Sequence, residues 1–299
     1  MSVEFCGLEL AHPIINGSGT FDAIAAGKAF GERLRHEFPF SAYVSKTITL
    51  EPRAGNPPPR LWEVAGGLIN SIGLPNKGLE GYMREDLPQL SGLRTDLGAG
   101  EDGVEVPLIT NVMGSSGDEL ARLVEACEEC PEIAAIELNV SCPNVKTGLD
   151  IGADPKQLEA VVKGLRDRTV KPLIVKLTPN TADVALCALG AQEGGADAVS
   201  LINTLRATAL APETGTGAPR GRWLGGGTGG LSGPAIRPVA LAQVAAVAER
   251  VAIPVVGMGG VQSVRHARDL LDVGATLVAV GTESFRDPRA GRRVASGLL

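Results

Sequence analysis

From Pro107 onward one unit repeats: a short apolar, β-branched run followed by an amphipathic segment of helix length. Strand-like runs fall at 108–112, 134–139, 172–176, 198–203, 254–257 and 276–280. Helical patterns separate them at 118–130, 155–168, 182–193, 235–250 and 263–272. Two earlier runs, at 14–17 and 42–46, bring the strands to eight. Apolar strands that alternate with amphipathic helices form a parallel sheet covered on its outer face, and eight such units can close on themselves. The expected fold is therefore α/β, a single (β/α)8 TIM barrel over residues 1–299. Residues 2–12 alternate apolar and polar positions around Gly7 and read as a hairpin that closes the bottom of the barrel. A long insertion after the second strand, roughly residues 48–106, exceeds an ordinary connection and is assigned to function or subunit contact.

In such barrels chemistry gathers where strands end. The predicted ends carry Ser18, Lys46, Asn111, Asn139, Lys176, Asn203, Gly259-Gly260 and Gly281-Thr282. Two lysines and three asparagines have little to do in a purely structural barrel mouth, because buried amides and cations cost free energy without partners. The run Ile136-Glu137-Leu138-Asn139 leads straight into Val140-Ser141-Cys142-Pro143-Asn144, which puts a thiol just past a strand end. The glycines after the seventh and eighth strands suit backbone binding of a phosphate. In the insertion, Asn70-Ser71-Ile72-Gly73-Leu74-Pro75-Asn76 concentrates amides and backbone donors as a cradle for a planar polar molecule would.

Composition narrows the partners. A net charge of −6 argues against nucleic acid. The Ala-rich segment 239–258 is interrupted by Glu249, Arg250 and Pro254, so no membrane span is expected. Ser2-Val3-Glu4-Phe5 does not read as the start of a signal peptide, and five irregularly spaced cysteines do not make a disulfide framework. A reducing, cytoplasmic setting follows. Cys127-x-x-Cys130 lacks a second pair, so no metal site is expected. His12, His36 and His266 lie away from the predicted mouth. The Gly-rich segment 215–230 reads as a mobile lid, and residues 95–105 as an exposed acidic loop.

Taken in order, Ser18-Gly19-Thr20, Ser45-Lys46-Thr47, Asn70 to Asn76, Asn139 to Asn144, Lys176-Leu177-Thr178-Pro179-Asn180, Asn203-Thr204, Gly229 to Pro234 and Gly259-Gly260 resemble the motifs of the soluble class 1 dihydroorotate dehydrogenases across nearly the whole chain. The resemblance implies FMN as cofactor and oxidation of dihydroorotate to orotate in pyrimidine biosynthesis. It makes Cys142 the general base for the C5 proton while hydride passes from C6 to flavin N5. It assigns orotate to Lys46, Asn70, Ser71, Ile72, Gly73, Leu74, Asn139, Asn144, Asn203 and Thr204. The FMN set it implies is Ser18, Lys46, Thr47, Asn111, Asn139, Lys176, Ile202, Gly233, Gly259, Gly260, Gly281 and Thr282. The stretch 143–148 and Asp154-Pro155 are similar to class 1B. That class implies an FAD and iron–sulfur partner subunit, NAD as final acceptor, and a heterotetramer built on a homodimer. This chain has no cysteine cluster of its own for such a centre. Two other readings stay open: an FMN-dependent dihydropyrimidine dehydrogenase on the same barrel, and a lyase using Lys176 as a Schiff-base amine.

Overall fold

The structure is a computed structural model that describes residues 2–99, 103–140, 151–213 and 220–299, with the side chain of residue 151 left aside. Eight strands form one parallel sheet: β1 (Ile14–Asn16), β2 (Tyr43–Val44), β3 (Leu108–Val112), β4 (Ile133–Asn139), β5 (Leu173–Lys176), β6 (Ala198–Leu201), β7 (Val255–Met258) and β8 (Leu277–Val280). They pair in the order β1-β8-β7-β6-β5-β4-β3-β2. The eight predicted strands are present, and the helices lie where the 3.6-residue pattern put them, within a few residues at each end. Side chains fix several helix starts. Ser116 accepts from Glu119 N, Asp154 from Lys156 N and Gln157 N, Asp183 from Ala185 N and Leu186 N, and Ser263 from His266 N. Each apolar stripe then faces the sheet, as Leu120, Leu123, Val124 and Cys127 do on helix Gly117–Glu128.

Closure depends on the β1–β2 seam, where β2 is only two residues long. Ser41 N donates to Ile14 O at 3.0 Å. Above it the fully buried Asn16 does the work of a further rung, since its Nδ2 donates to Val44 O and its Oδ1 accepts from Val44 N, both at 2.8 Å. Outside the seam Phe21, Phe38, Phe40 and Tyr43 pack edge to face, with ring centroids 5.3–5.9 Å apart. A good part of a small aromatic complement is thus spent where the ladder is weakest.

Inside the barrel the floor is apolar. Phe5 and Leu10, from the hairpin Val3–Phe5 and Leu8–Leu10, cluster with Ile15, Val44, Ile109, Ala135, Ile174, Ala198, Val256 and Leu277. The N-terminal hairpin therefore plugs the barrel as expected. Near this end the buried His12 accepts from Ile14 N through Nδ1 at 3.2 Å, and burial pushes its pKa down to about 4.

Between β2 and β3 the insertion supplies short helical turns at Gly78–Gly81, Tyr82–Asp86 and Leu87–Leu90, and, among its described strands, Leu61–Val64 and Gly67–Asn70. These strands join Gly229–Ser232 and Leu205–Ala207, from the connection after β6, in a second, antiparallel sheet of four. Of the segment read as a mobile lid, Gly229 and Gly230 belong to this sheet and Arg222 is bridged to Leu210. Its glycines serve close packing: a Cβ at Gly225 would sit 1.9 Å from Pro57 O, and one at Gly230 would sit 1.8 Å from Thr204 Oγ1. The described ends of the 95–105 loop are anchored, with Arg94–Thr95 paired to Val104–Glu105 and Asp96 bound bidentately by Arg292 at 2.6 and 2.7 Å. Among the described residues no helix is long and apolar enough to cross a membrane.

Two stability measurements check this account. Asn16→Ala leaves Val44 N–H and C=O unpaired in the interior and is expected to lower unfolding free energy by about 3 kcal/mol in urea titration; a loss below about 1 kcal/mol would refute the seam role. The unfolded chain protonates His12 near its usual 6.5, the folded chain only near 4, so stability is lost as pH falls through that window. The expected loss is roughly 3 kcal/mol, and a His12→Asn variant, whatever its stability at pH 7, should show a shallower decline across the same range.

Candidate active site

Alternation along the strands carries the apolar floor into a polar layer one step nearer the carboxyl ends. Ile109 is followed on the same face by Asn111, Ala135 by Glu137 and Asn139, Ile174 by Lys176, and Ala198 by Ser200. Parallel pairing sets these side by side: Glu137 is opposite Asn111, Asn139 opposite Lys176, and Lys176 opposite Ser200. All five are buried. Glu137 accepts hydrogen bonds from Asn111 Nδ2 and, at 2.7 Å, from Ser200 Oγ. Asn111 Oδ1 is buried without a partner among the described residues. Lys176 is 5% exposed and its ammonium has no ion pair there. A buried cation and an unpaired acceptor in one layer suit a polar ligand that offers both acceptors and a donor.

Asn139 Nδ2 donates to Thr47 Oγ1 at 3.3 Å, and Ser18 Oγ lies 3.5 Å from the same oxygen while donating to Ser45 O at 2.8 Å. The ends of β1, β2 and β4 are thereby linked. Lys46 is not drawn into this network; it is exposed and lines a cavity of about 390 Å³ with Gly19, Tyr43, Ser45 and Asn76.

On the other side of the mouth the predicted glycines converge. Gly233, Gly259 and Gly260 have φ of +96°, +135° and +69°, conformations that side chains oppose. A Cβ at Gly260 would lie 2.9 Å from Gly233 O, and one at Gly259 would lie 2.6 Å from Ala240 Cβ and 3.3 Å from Ile202 Cγ1. Thr282 Oγ1 donates to Ser232 Oγ at 2.8 Å. With Gly67 and Gln262, Gly233, Gly260 and Thr282 line a second cavity of about 440 Å³. The 3-10 turn Pro234–Ile236 and helix Arg237–Ala248 start from this point, but Pro234 and Pro238 have no N–H, and Ala235 N, Ile236 N and Arg237 N already donate to Gly66 O, Gly233 O and Pro234 O, so an anion here falls to the glycine loops and not to the turn. Gly281 stays open, its nearest neighbour being a Thr20 methyl at 3.8 Å.

The mouth sheet positions the cradle segment. Asn70 Nδ2 donates to Gly230 O at 3.3 Å, and Ser71 Oγ donates to Thr228 O at 2.7 Å while accepting from Asn56 Nδ2 at 3.1 Å. The Ser71 hydroxyl is thus committed to the fold, and what it offers a ligand is backbone. Ile72 follows, then Gly73 and Leu74 at φ +76° and +54°, a turn closed against Asn56. Thr204 N donates to Asn203 Oδ1 at 2.8 Å, and Thr204 O accepts from Asn180 Nδ2 at 3.0 Å. Cys142 and Asn144 lie outside the described residues. The described cysteines are free thiols, and burial pushes Cys127 up to about 12, far from thiolate at neutral pH.

The sequence reading assigned no task to Glu137 or Ser200. A glutamate inside an apolar strand run was the available signal, since in a closed sheet its side chain has to face either the helices or the barrel axis.

A sequence profile described as dihydroorotate dehydrogenase matches residues 1–299. The chain is 42% identical over 299 residues to the dihydroorotate dehydrogenase B (NAD(+)) catalytic subunit of Geotalea uraniireducens (strain Rf4), covering 100% of this chain and 92% of that one. It is 42% identical over 301 residues to the protein of the same name from Desulforudis audaxviator (strain MP104C), covering 99% and 91%. Among solved structures, DHODH in complex with ferulenol from Eimeria tenella superposes with a TM-score of 0.76 at 22% identity, covering 100% of this chain and 83% of that one, and it shares the fold.

Gly230→Ala would drive a Cβ into Thr204 and is expected to loosen the mouth sheet while sparing the barrel. Amide exchange should then accelerate at 67–70 and 229–232 and stay unchanged at 108–112; equal acceleration in both would refute the separation.

Proposed function

This chain belongs to the dihydroorotate dehydrogenase family, and from that premise we propose that it oxidises dihydroorotate to orotate with FMN as its resident cofactor. The observation that carries the reading is the buried polar layer in which Lys176 and the unpaired Asn111 Oδ1 share the barrel mouth. The chemistry of these groups fits a flavin. An oxidised isoalloxazine ring presents several acceptors and one N–H, and a fixed cation beside its pyrimidine edge favours the anionic reduced form. Gly233, Gly259, Gly260 and Thr282 would hold the phosphate end, and Asn139, Thr47 and Ser18 the inner wall. The whole chain acts as one FMN-binding unit.

When bound, FMN supplies the acceptor for hydride from substrate C6. The protein's own part is to hold the dihydropyrimidine and remove the C5 proton. That proton is acidified by the neighbouring carbonyl, so a thiolate at Cys142, directly after β4, is an adequate base. Asn70, the backbone of 71–74, Asn203 and Thr204 orient the ring, with Lys46 and Asn144 on its polar edge. Names of the most similar relatives support NAD as final acceptor and the role of catalytic subunit. We assign the chain to a cytoplasmic complex with an FAD and iron–sulfur subunit, built on a homodimer.

Anaerobic dihydroorotate added to the purified yellow protein should bleach the oxidised-flavin absorbance. Cys142→Ser should retain flavin and slow bleaching at neutral pH by at least about 100-fold, the usual scale for loss of a general base. A colourless protein that still bound dihydroorotate, or full-speed bleaching by the variant, would overturn the reading.

A further inference from the structure

The strands of the barrel carry two charged side chains, Lys176 and Glu137, and the proposed mechanism uses only the first. Glu137 is 4% exposed and opposite Asn111 in the β3–β4 register. One carboxylate oxygen accepts from Asn111 Nδ2 and the other from Ser200 Oγ. An ionised carboxylate has no hydrogen to give, so a reversed Asn111 amide would set oxygen against oxygen in an interior that screens little. The amide is held nitrogen-down, and its Oδ1 is left buried and unpaired on the other side.

We propose that Glu137 is a positioning residue for the cofactor: by taking the Asn111 amide nitrogen it turns Asn111 Oδ1 into a fixed acceptor for the single N–H of the oxidised flavin ring. The inference rests on the flavin reading above. Glu137 does not itself meet the cofactor; it acts through Asn111. With Glu137→Gln either amide orientation can be satisfied, and the selection is lost.

The test is FMN binding by the full-length protein stripped of flavin, followed by quenching of flavin fluorescence. Glu137→Gln should weaken binding at least about tenfold, the scale of one hydrogen bond to a buried group. Asn111→Ala should weaken it too, and the double variant should be no weaker than Asn111→Ala alone, because both changes remove one contact. Unchanged binding by Glu137→Gln, or additive losses in the double variant, would overturn the proposal. Failure of the unsubstituted protein to bind FMN would instead overturn the flavin reading, and this inference with it.

Asn111→Asp tests the same point if Glu137→Gln does not fold. It sets two carboxylates face to face, so one must hold a proton to restore the donor that Glu137 requires. The charged groups on the strands around this layer are then Glu137, the new aspartate and Lys176; Ser200 and the floor residues are neutral. FMN affinity of Asn111→Asp should rise as pH falls, against a flat profile for the unsubstituted protein. Parallel profiles for the two would overturn the proposal.

Discussion

Parallel pairing of β3, β4, β5 and β6 fixes which residues of each strand face the barrel axis, and everything at the mouth inherits that choice. Residues two apart share a face, so the phase that sends Ile109, Ala135, Ile174 and Ala198 to the floor also sends Asn111, Glu137, Lys176 and Ser200 to the layer above. A slip of one residue in any strand would exchange that strand's interior set for its exterior one. The floor is thus more than packing. Its dry contacts, capped by Phe5 and Leu10, hold the register in which two charged groups can be buried one layer up.

Burying a charge is costly, and for Glu137 the cost is offset locally. Glu137 accepts from Asn111 Nδ2 and Ser200 Oγ, and Asn139 is tied to Thr47. The barrel seam solves a related problem with a neutral side chain: Asn16 offers a donor and an acceptor to the same residue of the neighbouring strand. An amide can replace a peptide group there because it has the same pair of functions. Where Gly233 meets Gly260 the device is the absence of side chains, since the backbones at 66–67, 233 and 260 come within contact of one another.

The eight strands, the plug and most of the strand-end residues were legible because they are encoded locally, by runs of β-branched residues, by alternation and by caps. Glu137 was harder to read. A lone glutamate in an apolar run could face solvent in an open sheet, and only the pairing with β3 reveals its partner. The glycines at 225–230 were open to two readings. Glycine signals either freedom or closeness, and the sequence does not say which; here Pro57, Asn70 and Thr204 lie where side chains would have been. Ser71 was recognised as part of the cradle, yet its hydroxyl turns inward to Thr228, a partner 157 residues away.

Distances of that kind have a consequence for how the molecule is made. Gly67–Asn70 pairs with Gly229–Ser232, and β1 pairs with β8. On a ribosome β2 can pair with β3 as soon as that strand emerges, but the free edge of β1 waits for β8, and the strand Gly67–Asn70 waits for Gly229–Ser232. A sheet closed by its two ends completes its pairing only when its last strand is made, and until then the growing chain carries a bare strand edge on β1.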